Sequence, residues 1–409
     1  MNKRVLISDL LAGLSVSFAA LALGAAFGIM SGRGAFAGMI AAAVIPIITG
    51  LFGGTRLSVS GPTGPMTAVS SLVVAFAYEN FEGKIMAEQF ITLVFLMLGV
   101  LLLLTSVFRL AKFILYVPQV VILGFMSGIA MLIWMDQVRV IFGLDGKVAP
   151  DGSLLINILL ALATVCVIFL IPVFAKRFIP PIIRPFVPAT LTAIIIMTVI
   201  TSVFNLEVGH IKLGTDSASI SDLASLAMSY IPSMEILKWE YIWMALPYAL
   251  QLCLLGYLDS LLTALIMDNL TKEKSNYNKE LFGQGLSNIA SAVLMGIPGA
   301  QATIRSVLLF KEGAVTRLAA VATGVIALIL FLVFKDYVTI VTSAVFIGVL
   351  LKAAYDVFER EFLTLYLQRK WYLNKKRNIQ QGFVMYTMLA TAFIDLNFAV
   401  FSGTLFFYL

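Results

Sequence analysis

Long apolar runs separated by short polar punctuation fill this chain from end to end. Residues 8–30, 37–52, 89–108, 118–140, 153–175, 186–204, 239–270, 315–334 and 337–354 each read as a stretch for a membrane-crossing helix, which needs about 20 predominantly apolar residues. Residues 379–394 and 397–409 read as two shorter final spans. Between the runs lie a polar outer loop at 205–238 and a polar loop at 271–280. Charged residues alternate with Phe, Leu, Tyr and Trp over 356–377, the pattern of an amphipathic helix lying in the membrane interface.

Two places break the pattern. Leu57-Ser58-Val59-Ser60 alternates apolar and polar residues, and Gly61-Pro62-Thr63-Gly64-Pro65 follows. The alternation predicts a short extended piece. The prolines forbid a helix until about Pro65, where a proline in the first turn is tolerated, so the third helix, 66–78, is a half-span. The second break is Gly296-Ile297-Pro298-Gly299-Ala300-Gln301-Ala302-Thr303-Ile304-Arg305. Residues 284–296 are too short to cross straight and are expected to pair with 297–311 as a re-entrant hairpin. Interrupted segments in corresponding halves of a membrane protein point to a transporter's binding site, because half-helices aim unpaired backbone N–H groups at a midplane ligand. The halves, roughly 8–205 and 239–409, share breakers and hydropathy rather than residue identity.

Composition agrees with the pattern. Of 409 residues, 60% are hydrophobic and 12% charged, with mean hydropathy +0.99; a soluble domain carries about 25% charged residues. The expectation is an all-α polytopic membrane protein forming one transmembrane domain over 1–409. The basic Met1-Asn2-Lys3-Arg4 leads into a first span that is retained rather than cleaved. The net charge of +6 is not gathered into a basic domain, so it does not indicate nucleic acid. With a cytoplasmic N-terminus, most Lys and Arg fall on the cytoplasmic side, as the positive-inside rule requires. Both cysteines, Cys166 and Cys253, sit in apolar runs, and His210 is the single histidine, so zinc sites and Ser-His-Asp sets lack material.

Asp259 lies near the centre of its apolar span, where a carboxylate costs about 2.5–3.5 kcal/mol on insertion scales and needs a partner. Thr263 is one turn on, on the same helix face. Carboxylate, hydroxyl and backbone carbonyls freed at a helix break make an all-oxygen cage suited to a hard cation such as sodium; the same carboxylate could bind a proton or simply pack against a neighbouring helix. Arg305, one turn into the second half-helix, adds positive charge to a helix N-terminus, an anion-attracting arrangement. Snorkelling, or pairing with Asp268 or Glu312, is the bland alternative. Thr63, Thr67 and Thr303 gain weight from standing at the breaks. Asp136 and Asp395 read as interfacial.

At this point the residues resemble a family. The breaks themselves, Leu258-Asp259-Ser260-Leu261-Leu262-Thr263 and Asn278-Lys279-Glu280-Leu281-Phe282-Gly283-Gln284-Gly285-Leu286-Ser287-Asn288-Ile289-Ala290 are similar to the sulfate permease family of anion transporters, nearest to its sodium-dependent bicarbonate transporters. The resemblance spans the chain in order. It implies a fold of seven plus seven inverted-repeat segments in which half-helices three and ten face each other in a core domain, with a gate domain serving as dimer contact or scaffold. It places the anion near Met66, Thr67 and Ala68 on one side and Ala302, Thr303 and Ile304 on the other, and a sodium site at Asp259, Thr263 and Thr303 with backbone from Gln301. Arg305 matches a basic position common in the family. Three departures stand out: Gln301 where relatives often have a small residue, Ala22-Leu23 in place of a Pro and an acidic residue in the first helix, and no C-terminal regulatory domain of the anti-sigma-factor-antagonist (STAS) type.

The functional expectation is a non-enzymatic secondary transporter, a homodimer in a bacterial cytoplasmic membrane with both termini cytoplasmic, coupling uptake of a small oxyanion, bicarbonate first, to sodium. Proton-coupled sulfate or dicarboxylate transport, anion exchange and a passive channel are the alternatives.

Overall fold

The computed structural model describes residues 3–144, 149–180, 189–210, 220–334, 340–358, 375–394 and 396–408. Helices α1 (Lys3–Met30) and α2 (Ala35–Phe52) form a hairpin, followed by strand β1 (Ser60–Gly61), half-helix α3 (Gly64–Asn80) and α4 (Lys84–Val107). A 3-10 stretch, Leu110–Tyr116, leads to α5 (Gln119–Phe142), α6 (Leu154–Phe178), α7 (Ala189–Val203) and α8 (Ile220–Ser229). The second half comprises α9 (Trp239–Thr271), α10 (Tyr277–Val293), β2 (Ala300–Gln301), half-helix α11 (Thr303–Lys311), α12 (Leu318–Phe334), α13 (Ser343–Val357), α14 (Lys375–Phe393) and α15 (Leu396–Tyr408). Six of these, α1, α2, α4, α5, α6 and α9, are long and apolar enough to cross a membrane. On α6, Leu155, Leu159, Leu162 and Leu170 are exposed.

The inverted repeat is visible in which helices touch. Exchanging α1 for α9, α2 for α10, α3 for α11 and α4 for α12 turns the α2–α12 contact into α10–α4, α1–α12 into α9–α4, and α1–α11 into α9–α3; every one of these pairs is packed together. The α1–α2 crossing is close because the residues at it are small: a methyl group on Gly38 would lie 1.8 Å from the Gly24 carbonyl oxygen. Small residues are how membrane helices approach without a hydrophobic drive between them.

The chain divides into two compact units. The first comprises residues 1–111 and 150–349, the second residues 112–149 and 350–409. Within the second, α5 packs on α14 where Gly124 meets Val384 and Thr387 and Gly128 meets Thr391, and Tyr386 donates to Ser402 Oγ at 2.9 Å. Both broken segments belong to the first unit.

Most expected boundaries agree within a few residues, and α3 extends the expected 66–78 by two residues at each end. Two expectations are corrected. Residues 277–293 form one continuous helix, α10, where a polar loop to 280 and a short segment from 284 were expected. Its polar residues Glu280, Gln284 and Asn288 are buried and serve as internal hydrogen-bonding partners, so a helix face made of them reads as a loop by polarity alone. The outer loop contains a short helix, α8, and His210 Nδ1 contacts Ile340 O at 3.0 Å. Of the expected interfacial helix, 356–377, residues 359–374 lie outside the described residues, as does Asp395, while 356–357 end α13 and 375–377 begin α14.

Candidate functional site

The two breaks meet. Strand β1 pairs antiparallel with β2, Ser60 opposite Gln301 and Gly61 opposite Ala300, and Ala302 N donates to Val59 O at 3.0 Å. Glycine is required on both sides. Gly61 has φ +150°, and a methyl group on Gly299 would lie 2.4 Å from the Gly61 carbonyl carbon, so only hydrogen there lets the strands close.

From this pair the half-helices depart. Thr63 caps α3 with extended backbone and Pro65 sits in its first turn; Ala302 precedes α11. Neither N-terminus has a side-chain cap, and Thr63 Oγ1 has no hydrogen-bond partner among the described residues. Thr67 Oγ1 donates back to Thr63 O at 2.7 Å. Two uncapped helix N-termini thus converge on a small region, and each carries about half a positive charge.

Beside them stands α9. Ser260 Oγ accepts from Gln301 N at 3.2 Å, Thr263 Oγ1 donates to Gln301 O at 3.2 Å, and Thr263 and Thr303 hydroxyls lie 2.6 Å apart. Three of the four residues expected in the cation cage are therefore in one hydrogen-bonded group. Asp259 is buried one turn earlier, and its Oδ2 has no hydrogen-bond partner among the described residues. No hydrogen bond joins it to the Thr63 hydroxyl, which is likewise without a partner among the described residues.

Arg305 is 3% exposed. Its Nη2 donates to Pro62 O at 2.6 Å while Nη1 has no hydrogen-bond partner among the described residues. It spans the two breaks and neither snorkels nor pairs with Asp268, whose carboxylate is held by Ser275 and Tyr277.

The residues expected around the anion separate into two groups. Ala68, Ala302 and Thr303 are partly accessible and Ile304 is exposed, forming the open side. Thr63, Met66, Thr67, Gln301 and Arg305 are buried. The Met66 side chain packs toward α9 beside Gly256, so Met66 has backbone rather than side chain to offer. The Gln301 side chain is fully buried with both polar atoms unpartnered among the described residues; opposite Ser60 in the ladder, it shares that residue's face.

The surrounding supports were not singled out by the sequence. Asn288 clasps Gly299 twice, Nδ2 donating to its carbonyl and Oδ1 accepting from its amide, each at 2.9 Å, and Ser291 Oγ donates to Ile297 O at 2.9 Å. Arg33 Nη1 donates to Gly296 O at 3.0 Å while its guanidinium pairs with Glu88 at 2.8 Å. A polar face at i, i+4 and i+8 on α10, and an acidic residue early in an otherwise apolar span, were the available signals.

This arrangement is that of a membrane transporter with paired half-helices, and comparison with known proteins agrees. Residues 6–375 match the sulfate permease family. The chain is 32% identical to the bicarbonate transporter BicA of Picosynechococcus over 415 residues, 96% of this chain and 68% of that protein. It is 30% identical over 413 residues, 97% of this chain and 72% of the other, to YvdB of Bacillus subtilis, which carries a provisional name as a sulfate transporter. The solved transmembrane domain of a cyanobacterial BicA superposes with a TM-score of 0.80 at 28% identity, covering 98% of each chain. The chain belongs to the sulfate permease family, as a multi-pass anion transporter with the seven-plus-seven inverted-repeat fold.

Proposed function

We propose that the chain is a secondary active transporter that couples bicarbonate uptake to sodium, with the anion held between the N-termini of α3 and α11. The observation that carries this reading is the β1–β2 pair, which sets two uncapped half-helix N-termini side by side next to a buried carboxylate. Oriented N–H groups and Arg305 attract an oxyanion. One carboxylate, the Thr263 and Thr303 hydroxyls and the Gln301 carbonyl form an all-oxygen donor set with a single negative charge, which fits a hard monovalent cation. Sodium beside Asp259 would offset that charge, so each ion would make the other's binding more favourable, by the same factor in both directions. The similarity to BicA supports bicarbonate as the anion.

The same reading puts the termini on the cytoplasmic side of a bacterial cytoplasmic membrane, from the distribution of Lys and Arg, and treats the chain as a single transmembrane domain acting in a homodimer. The test is uptake of radiolabelled bicarbonate and sulfate into proteoliposomes with and without an inward sodium gradient. Bicarbonate is expected to accumulate with the gradient, and Asp259→Asn is expected to abolish the sodium dependence while leaving thermal stability intact. Unchanged sodium dependence in that variant sinks the mechanism. The similarity to YvdB supports sulfate as a second candidate anion; were its transport proton-coupled, the signature would be uptake in sodium-free buffer that rises as external pH falls.

A further inference from the structure

A buried carboxylate that hydrogen-bonds none of the residues expected to hold either ion grips the chain that leads into the first break. Glu280 on α10 is fully buried. Its Oε2 accepts from Gly54 N and Thr55 N, each at 2.8 Å. Its Oε1 accepts from Gln284 Nε2 at 3.0 Å, and that nitrogen also donates to Ser60 Oγ at 2.7 Å. Ser60 is the β1 residue opposite Gln301. The fit around Gly54 is tight: a methyl group there would lie 1.9 Å from Asn276 O.

An ionised carboxylate is acceptor-only, and all three groups facing Glu280 are N–H donors. Such charge-assisted bonds are roughly twice as strong as neutral ones. From the carboxylate an unbroken line of hydrogen bonds runs through Gln284 to Ser60, and the Ser60–Gln301 pairing continues it to the Gln301 carbonyl, to which Thr263 donates. A shift of residues 53–60 therefore moves β1, the start of α3 and the partner strand that carries Gln301. Glu280 touches none of the residues expected to hold either ion.

We infer that Glu280 is a positioning residue, holding the first break in register with the second so that the anion and cation positions exist together. The inference rests on the proposed site between the half-helices. Glu280→Gln keeps shape and volume but turns one acceptor oxygen into a donor facing donors. A glutamate whose work is to set register affects affinity for both ions at once; one that merely stabilises the fold lowers the amount of active protein and leaves affinity alone.

The experiment compares wild type and Glu280→Gln in proteoliposomes, measuring radiolabelled bicarbonate uptake against bicarbonate and sodium concentration, and hydrogen–deuterium exchange of residues 53–61 in detergent. Half-saturating concentrations of both ions are expected to rise about tenfold, which is about 1.4 kcal/mol, with maximal rate within twofold and amide exchange over 53–61 accelerated. Reduced maximal rate with unchanged half-saturation, or unchanged exchange over 53–61, overturns it. Where Glu280→Gln fails to fold, Ser60→Ala removes only the last hydrogen bond of the line and is expected to raise both half-saturating concentrations about threefold; no change overturns the proposal. If wild type shows no sodium-driven bicarbonate uptake, the transport reading fails, and the exchange over 53–61 alone decides the clamp.

Discussion

Each break is clamped by ionised side chains of opposite logic. At the second, Arg33 grips a carbonyl, Gly296 O, and its charge is neutralised on the spot by Glu88, with the two side chains 3% and 6% exposed. Tyr78, near the end of α3, donates to the other Glu88 oxygen at 2.7 Å and Thr92 accepts from Arg33 at 3.2 Å. At the first break, Glu280 grips two amides, while Arg317 donates separately to Gly53 O at 2.8 Å and Gly54 O at 3.3 Å. The second clamp is thus a closed ion pair, and the first splits its charges across a stretch of backbone. Breaking a closed buried pair strands a charge, which threatens the fold. Altering one member of the split clamp displaces backbone, which threatens register.

The sharpest way to break this contrast is Glu88→Ala, which leaves Arg33 buried without its carboxylate. We expect a loss of about 3–5 kcal/mol in stability, seen as a lower thermal unfolding midpoint in detergent. A joint replacement, Arg33→Met with Glu88→Leu, is expected to restore most of it, because an apolar pair strands no charge. A loss below about 1 kcal/mol for Glu88→Ala would show that Arg33 finds other partners and the clamps are alike.

Next in size is Gly299→Ala. Its methyl group would sit 2.4 Å from the Gly61 carbonyl carbon, and backbone cannot yield as a flexible side chain does. Overpacking of this kind costs about 1–3 kcal/mol, and separation of β1 from β2 is expected to abolish sodium-driven uptake. Gly61→Ala meets the end of the Arg305 side chain instead, at 2.8 Å, but at φ +150°, a conformation an alanine rarely adopts. Uptake that survives Gly299→Ala would mean that contact between the strands is dispensable.

The breaks were legible in the sequence because they are local chemistry: Pro62 and Pro298 lie outside helices, Pro65 stands in a first turn where proline is tolerated, and the glycines beside them mark tight backbone. Asp259 and Arg305 were legible as ionisable residues in apolar surroundings. What joins the breaks was not, since Ser60 meets Gln301 across 241 positions and no local pattern announces a two-residue strand pair. Glu280 was lost to a polar loop because buried polar residues on a helix face look solvated. Met66 was expected beside the anion for its position at the break, and its side chain turns instead to Gly256. Physical reading of a sequence finds the special backbone and misses what supports it.

A smaller effect separates the clamps from the ion positions. Asn288→Ala removes both hydrogen bonds to Gly299 and is expected to cost about 1–3 kcal/mol at about 1 kcal/mol per bond. Thr263→Val keeps volume but removes the hydroxyl that meets Gln301 O and Thr303. It is expected to raise half-saturating sodium about tenfold, or about 1.4 kcal/mol, with little change in unfolding midpoint. Equal shifts in stability and sodium dependence for both variants would erase the distinction between support and site.

The smallest change tests how finely the second break is held. Ser291 Oγ donates to Ile297 O at 2.9 Å, and Gly296 N donates to Ser291 O at 2.7 Å, so serine contributes one side-chain bond and one backbone bond at the same corner. Ser291→Ala removes the first and leaves the second. A neutral hydrogen bond is worth about 0.5–1.5 kcal/mol net, and Ile297 O, buried beside a fully buried residue, would lose its side-chain donor. We expect a midpoint lowered within that range, faster amide exchange confined to 295–299, and half-saturating sodium changed less than twofold. That last number is where the two breaks part: if the ion positions are registered through the Glu280 line, loosening this corner leaves sodium affinity alone, whereas a rise as large as that of Glu280→Gln would place the register in the second break.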